Sequence, residues 1–264
     1  MNICIQNVID ALTTPVIPIE NTVDKLDLGN PDTIVTGIAT TFLATHEVIE
    51  KAKNLDVNLI ISHEGIFYSH RRNPKIIEDN KVYKKKCETI EESGIAIFRY
   101  HDYPHRYVPD VITAALLKAL GWENYEVENK QIASILEIPE MTVQDVISHV
   151  KKELGISNIR FIGDLLMPCR RIAILVGYRG SGETTIPLLE KENIDMVIYG
   201  EGPEWETPEY IRDAVYQGNN KALTVLGHAE SEAQAMNYLA QKLQEEFPSV
   251  PVHFIAQAPV FNIL

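Results

Sequence analysis

Long apolar runs are missing from this chain. Its longest are short, such as Ile172–Val176, and nothing approaches the roughly 18 residues that a membrane-spanning helix needs. The start of the chain lacks the basic residues and apolar stretch of a secretory leader, because Asn2, Gln6, Asn7 and Asp10 interrupt it. Cysteine is scarce. Cys4, Cys87 and Cys169 are widely spaced and form no Cys-x-x-Cys pair. They predict reduced thiols in a cytoplasmic protein and exclude a disulfide scaffold. Basic residues are also few: 24 Lys and Arg against 37 Asp and Glu give a net charge of −13. That excess argues against broad electrostatic binding to nucleic acid or to an anionic membrane. No Gly-Lys-Ser/Thr phosphate loop and no Gly-x-Ser-x-Gly nucleophile elbow occurs. Internal repeats and low-complexity segments are absent too.

What remains is an ordinary globular composition, 45% hydrophobic and 23% charged over 264 residues, which excludes a disordered or fibrous chain. The patterning alternates helix and strand. Ile5, Val8, Ile9 and Leu12 mark one apolar helical face, and Thr45–Asn54 and Val82–Ser93 read as further helices. A β-rich run covers Thr33–Ile38, and Val57–Ser62 and Ile95–Arg99 are apolar enough to be strands buried on both faces. Asp110 can cap a helix closed by Gly121. The pattern changes near Tyr125. Gln131–Ile138 reads as a strand ending at Pro139, and Thr142 and Asp145 form a capping-box start. Strands follow at Arg170–Val176, Asp195–Tyr199, Ala222–Leu226 and Val250–Ile255, with a long helix at about Ser231–Glu246. The expectation is an α/β protein of two subdomains. The first spans 1–125 and is completed by about 231–264; the second spans 126–230.

Three segments share one layout, an apolar strand followed at once by metal-ligand side chains. They are Leu59-Ile-Ile-Ser-His63-Glu64-Gly65, Ile97-Phe-Arg-Tyr-His101-Asp102-Tyr-Pro-His105 and Val225-Leu-Gly-His228-Ala-Glu230-Ser-Glu232. Sites in open parallel sheets form outside the carboxyl ends of strands, where all three would place these groups. Imidazole with carboxylate suits Zn, Mn, Fe or Ni, and the absence of nearby thiolates disfavours a structural zinc site. Each segment alone is also readable as a turn, a cap or a solvated acid. Gly177–Gly182 is a glycine-rich turn, readable as a plain tight turn or an anion cradle. Tyr178, Arg179, Glu201, Trp205 and Glu206 are candidates for a substrate-pocket rim.

The constellation resembles the NIF-three-like proteins (Ngg-one-interacting factor three), a family of dinuclear metal proteins. The family pattern has His-His-Pro after an apolar strand, a middle His-x-x-x-Asp, and a late Gly-His-x-x-Ser-Glu. Here the late motif stands as Gly227-His228-Ala-Glu230-Ser231-Glu232. The first stands as His63-Glu64-Gly65, with Glu and Gly replacing His and Pro, and the middle as His101-Asp-Tyr-Pro-His105, with His replacing Asp. The family's N-terminal Trp-Asp-Asn-x-Gly-Leu segment and its large central insertion are absent, so the chain resembles a divergent short-form member. The resemblance implies the NIF-three-like fold with a metal site in the cleft between the subdomains. Two divalent ions would be held by His63, Glu64, His105, His228 and Glu232, Glu232 bridging, with His101 and Asp102 as additional candidates. Such a site would be net positive and would favour a small anionic substrate.

Two functions remain open on this basis. One is a two-metal hydrolase acting on a phosphoester, nucleotide or related small molecule through a metal-bridging hydroxide. The other is a non-catalytic metal-binding regulatory or chaperone-like ring. The family carries the label of a second type of GTP cyclohydrolase, for which the sequence holds no separate signature, and it implies a homohexamer. A metal-free α/β enzyme would require all three motifs to be coincidence.

Overall fold

A computed structural model describes residues 2–71 and 79–263. The chain divides into two compact units, one built mainly from Met1–Val108 with Met236–Asn262, the other mainly from Pro109–Ala235.

The first unit holds a five-stranded sheet. In chain order its strands are β1 (Lys25–Leu28), β2 (Ile38–Thr41), β3 (Leu59–Ser62), β4 (Ala96–Arg99) and β11 (Val252–Phe254), arranged β1-β4-β3-β2-β11. β4, β3, β2 and β11 are mutually parallel, and β1 closes one edge antiparallel to β4. Alternation explains the apolar run in β3. Leu59 and Ile61 pack with Ile5 and Val8 of helix α1 (Ile5–Thr13), while Ile60 packs with Val48 and Ile49 of α2 (His46–Asn54) and Ile90 of α3 (Lys81–Ser93). Both faces of the strand are covered, so neither needs a polar residue. The Thr33–Ile38 run is strand only from Ile38, and its earlier part contributes one isolated bridge, Cys4 with Ile34.

Lys86, on α3, is a buried exception to this apolar layer. It is 2% exposed, and its Nζ donates to the Ile66 carbonyl at 2.6 Å beside the Phe67 and Tyr68 rings. Burial pulls its pKa down to about 8. The folded state therefore gives up this proton near pH 8, and the unfolded chain keeps it to about pH 10.4. Between those values the unfolded state binds more protons, so stability rises with pH. Denaturant unfolding of the wild type against Lys86→Met should show the wild type gaining roughly 2–3 kcal/mol on the variant from pH 7.5 to 10. A constant difference would mean that Lys86 is charged in the folded state throughout.

The second unit contains α4 (Val111–Leu120) and a six-stranded sheet ordered β5-β6-β8-β9-β10-β7. The strands are β5 (Glu126–Asn129), β6 (Ser134–Thr142), β7 (Arg160–Ile162), β8 (Pro168–Leu175), β9 (Met196–Tyr199) and β10 (Ala222–Val225). β8, β9 and β10 are parallel, and antiparallel strands flank them. Leu188 and Leu189 of α6 (Gly182–Lys191) and Ile211 of α7 (Thr207–Tyr216) cover Ala173, Leu175, Val197 and Leu223. β6 runs through Pro139 rather than stopping there. Its register against β8 shifts between Glu137 and Met141, and that irregularity accommodates a residue with no N–H to donate. Asp110 caps α4 by accepting from the Ile112 and Thr113 N–H groups, and Thr142 with Asp145 forms the capping box of α5 (Val143–Leu154). Helix α8 (His228–Glu246) starts in this unit and runs on into the first. Among the described residues, no helix is long and apolar enough to cross a membrane.

Candidate metal centre

In the first unit the ligand-type side chains lie just beyond the ends of β3 and β4. His63 and Glu64 follow Ser62, His101 and Asp102 follow Tyr100, and a single 3-10 turn, Pro104–Arg106, carries His105. Asp24 pins this second loop. Its carboxylate accepts from the N–H groups of His101 (2.9 Å), Asp102 (2.7 Å) and Tyr103 (3.0 Å). The three imidazoles gather into one group. His101 stacks on His63 at 4.7 Å between centroids, and His105 meets them edge-on at 5.5 and 5.4 Å. One ligand nitrogen from each of His63, His101 and His105 lies within 4.8 Å of the others. Glu64 with His70 and His101, and Asp24 with His101 and Asp102, meet the same limit, so His101 is common to all three sets.

The hydrogen bonds assign the tautomers. His63 Nδ1 lies 3.0 Å from the Tyr100 carbonyl, and His101 Nδ1 lies 2.9 Å from Asp102 Oδ1. Both partners can only accept, so each Nδ1 carries the proton. Asp102 is itself held by the Thr22 hydroxyl and the Val23 N–H. An imidazole anchored in this way through Nδ1 offers Nε2 as its basic atom, which is how a metal-ligating histidine is usually held.

The second unit repeats the device. His228 is the first residue of α8, immediately after β10 and Gly227. Its Nδ1 donates to Glu201 Oε1 at 3.0 Å, and its Nε2 lies 3.1 Å from Glu232 Oε2, one helical turn on. Ser231 holds the neighbouring loop, its hydroxyl accepting from Gly177 N–H at 2.9 Å and donating to the His228 carbonyl at 2.8 Å. The helix begins three residues earlier than its apolar pattern suggests, because Gly227, at φ +109°, turns the chain directly from strand into helix.

Charge is concentrated around these histidines. Burial lowers the pKa of His101, but hydrogen bonds to Asp102 and Glu64 outweigh it and leave the value near 9. For His228, burial is again overcome, here by Glu232 and Glu201, to about 9. Burial opposes the charge on Glu64, yet His101 and His63 bring it down to about 2. The His101 contact holds Asp102 well below the ordinary carboxylate range. In the absence of an ion the carboxylates therefore favour protonated imidazoles, and a proton and a divalent cation compete for the same nitrogens.

Glu64 has a further partner, the buried Arg99, whose Nη2 lies 3.1 Å from Glu64 Oε2. Arg99 also donates to the carbonyl and Nδ1 of His70. Among the rim candidates, Glu201 orients His228, and Arg179 pairs with Asp110 Oδ2 at 3.0 Å, next to the start of α4. Glu206 accepts from the Gly182 N–H at 2.7 Å, and Tyr178 and Trp205 are exposed. Sequence reasoning missed Asp24, His70 and Arg99. The one available signal was Arg99, a charged residue closing an otherwise apolar strand.

The sequence profile of the Duf34/NIF3 (NGG1p interacting factor 3) family matches residues 21–259. The chain belongs to this family. A GTP cyclohydrolase 1 type 2 homolog from Clostridium perfringens is 26% identical over 238 residues, covering 87% of this chain and 86% of that protein. A Bacillus cereus protein related to NIF3 has the same fold, with a TM-score of 0.80 at 17% identity and full coverage of both chains. A Staphylococcus aureus protein gives 0.75 at 17% identity, again over the whole of both chains. Family membership agrees with the mixed α/β architecture of two sheets and with the His, Glu and Asp clusters, several of which could bind metal ions.

Proposed function

We propose that this chain is a divalent-metal-dependent hydrolase of a phosphoester, nucleotide or related small anionic molecule. The ligand set would be the one the family resemblance implies, His63, Glu64, His105, His228 and Glu232, with His101 in addition. The observation that carries this reading is the anchoring of His63, His101 and His228 through Nδ1, which leaves Nε2 of each as the donor atom. When bound, a pair of divalent ions supplies Lewis acidity toward a phosphoryl or acyl oxygen and lowers the pKa of water. The protein's own part is to fix the donors. Tyr100 O, Asp102 and Glu201 hold the Nδ1 protons, and Asp24 fixes the loop that carries His101. Glu232, 2% exposed, offers two carboxylate oxygens, which suits it to bridge.

A second reading is favoured by Glu64. Its carboxylate already pairs with the buried Arg99, which suits a metal-binding regulatory or chaperone-like role without turnover. The family also supports a homohexamer, to be checked by light scattering, and the free thiols support a cytoplasmic location. Turnover decides between the readings. Protein loaded in turn with Zn, Mn, Fe or Ni should release product from at least one member of a panel of phosphoesters and nucleotides, GTP included, and chelator-treated protein should not. Metal binding without turnover of any panel member would favour the second reading.

A further inference from the structure

The first unit contains a cavity of about 520 Å³, a volume suited to a small organic ligand. Its walls include Lys25, Asp27, Gly65, His70, Arg71 and Arg99. In a chain of net charge −13, the cavity is lined by three permanent cations, of which Lys25 lies 3.4 Å from Asp27 and Arg99 pairs with Glu64, so the cations there still exceed the carboxylates that meet them. The cavity has a built centre. Arg99 is 4% exposed, and its guanidinium is held by the His70 carbonyl, by His70 Nδ1 and by Glu64 Oε2. Its Nε–H has no hydrogen-bond partner among the described residues. A buried charged donor left without an acceptor is costly unless a ligand supplies one. Gly65 keeps the approach open, since a Cβ there would lie 3.1 Å from Arg99 Nη1 and 2.9 Å from the Ser69 carbonyl.

We propose that this cavity is an oxyanion subsite, in which Arg99, supported by Lys25 and Arg71, binds the phosphate group of a phosphorylated small molecule. A guanidinium matches the geometry of phosphate oxygens, and it is held rigid here before any ligand arrives. Glu64 links the subsite to the histidine group, because its carboxylate contacts Arg99 at 3.1 Å and His101 at 3.4 Å. A phosphate on Arg99 would thus lie one residue away from the candidate metal donors. The assignment of that phosphate to a substrate rests on the hydrolase reading, whereas the binding itself does not.

The test is calorimetric titration of chelator-treated full-length protein with inorganic phosphate. Wild type should bind; Arg99→Gln should weaken binding at least tenfold, and Lys25→Glu, at a half-exposed position, at least fivefold. Lys242→Gln, on the exposed surface of α8, should match wild type. Should Arg99→Gln fail to fold by circular dichroism, the Lys25→Glu result stands alone as the test. No binding by wild type, or wild-type binding by the folded cavity variants, overturns the proposal. Metal content is measured on the same preparations. Phosphate binding without metal uptake would sink the hydrolase reading alone, and metal uptake without phosphate binding would sink this subsite alone.

Discussion

Replacing His101 by alanine should lower divalent-metal affinity by more than about 100-fold, since loss of an outer-shell partner alone typically costs 10–100-fold. Among the described residues, His101 belongs to each of the three donor sets in the first unit, with His63 and His105, with Glu64 and His70, and with Asp24 and Asp102. No other side chain does. The fold should survive. Asp24 grips the backbone N–H of residue 101, which alanine retains, and Arg99 still pairs with Glu64. Competition against a chromogenic chelator measures the affinity, and far-ultraviolet circular dichroism checks the fold. Affinity within threefold of wild type would remove His101, and with it the three-imidazole group, from the metal site.

Gly177→Ala should damage the second unit's donor pair without removing a donor. Gly177 sits at φ +59°, where any other residue is strained by about 1–2 kcal/mol. A Cβ there would also overlap Glu232 Oε1, lie 3.0 Å from Glu232 Cδ and lie 3.2 Å from His228 Nε2. Glu232 is buried and its Oε2 lies 3.1 Å from His228 Nε2, so displacing the carboxylate would disturb that contact. Gly94 provides the comparison, at φ +63° with nothing within 4 Å of the added carbon. Gly94→Ala should show the backbone strain alone, and Gly177→Ala should exceed it by roughly 1–3 kcal/mol of overpacking. Urea unfolding of both variants measures the difference. Gly177→Ala should also weaken metal binding, and Gly94→Ala should leave it unchanged. Equal effects of the two on both readouts would show that the Gly177 approach to Glu232 is unimportant.

The strands that carry the site were readable because they are buried on both faces. Leu59–Ile61 and Ile95–Phe98 are apolar throughout, so the polar residues that follow them stand out, and His63, Glu64, His101 and His105 were legible for that reason. His228 and Glu232 were legible from the four-residue spacing at a strand-to-helix turn. Two of the edge strands were not. β1 and β7 are four and three residues long and hold only half-buried or exposed side chains, so their sequences carry no clear period. Asp24 escaped notice for a different reason. Its role is to accept from backbone N–H groups about 77 residues further along, a relation that only the tertiary fold creates. The ion pair between Glu64 and Arg99, 35 residues apart in sequence, is of the same kind. It alters what the Glu64 replacement means. A glutamate at this position is a potential ligand and at the same time the anchor of a buried arginine.

The measurement closest to the central claim is elemental analysis of the wild-type protein, purified without chelators and then dialysed against each candidate ion. The proposed ligand set, which the family resemblance implies, predicts about two divalent ions per chain, retained through gel filtration. It also predicts a clear loss of metal in Glu232→Ala, whose side chain is the buried carboxylate beside His228 Nε2. Protein that retains no ion under any of these conditions, or that retains as much metal in Glu232→Ala as in wild type, would contradict it.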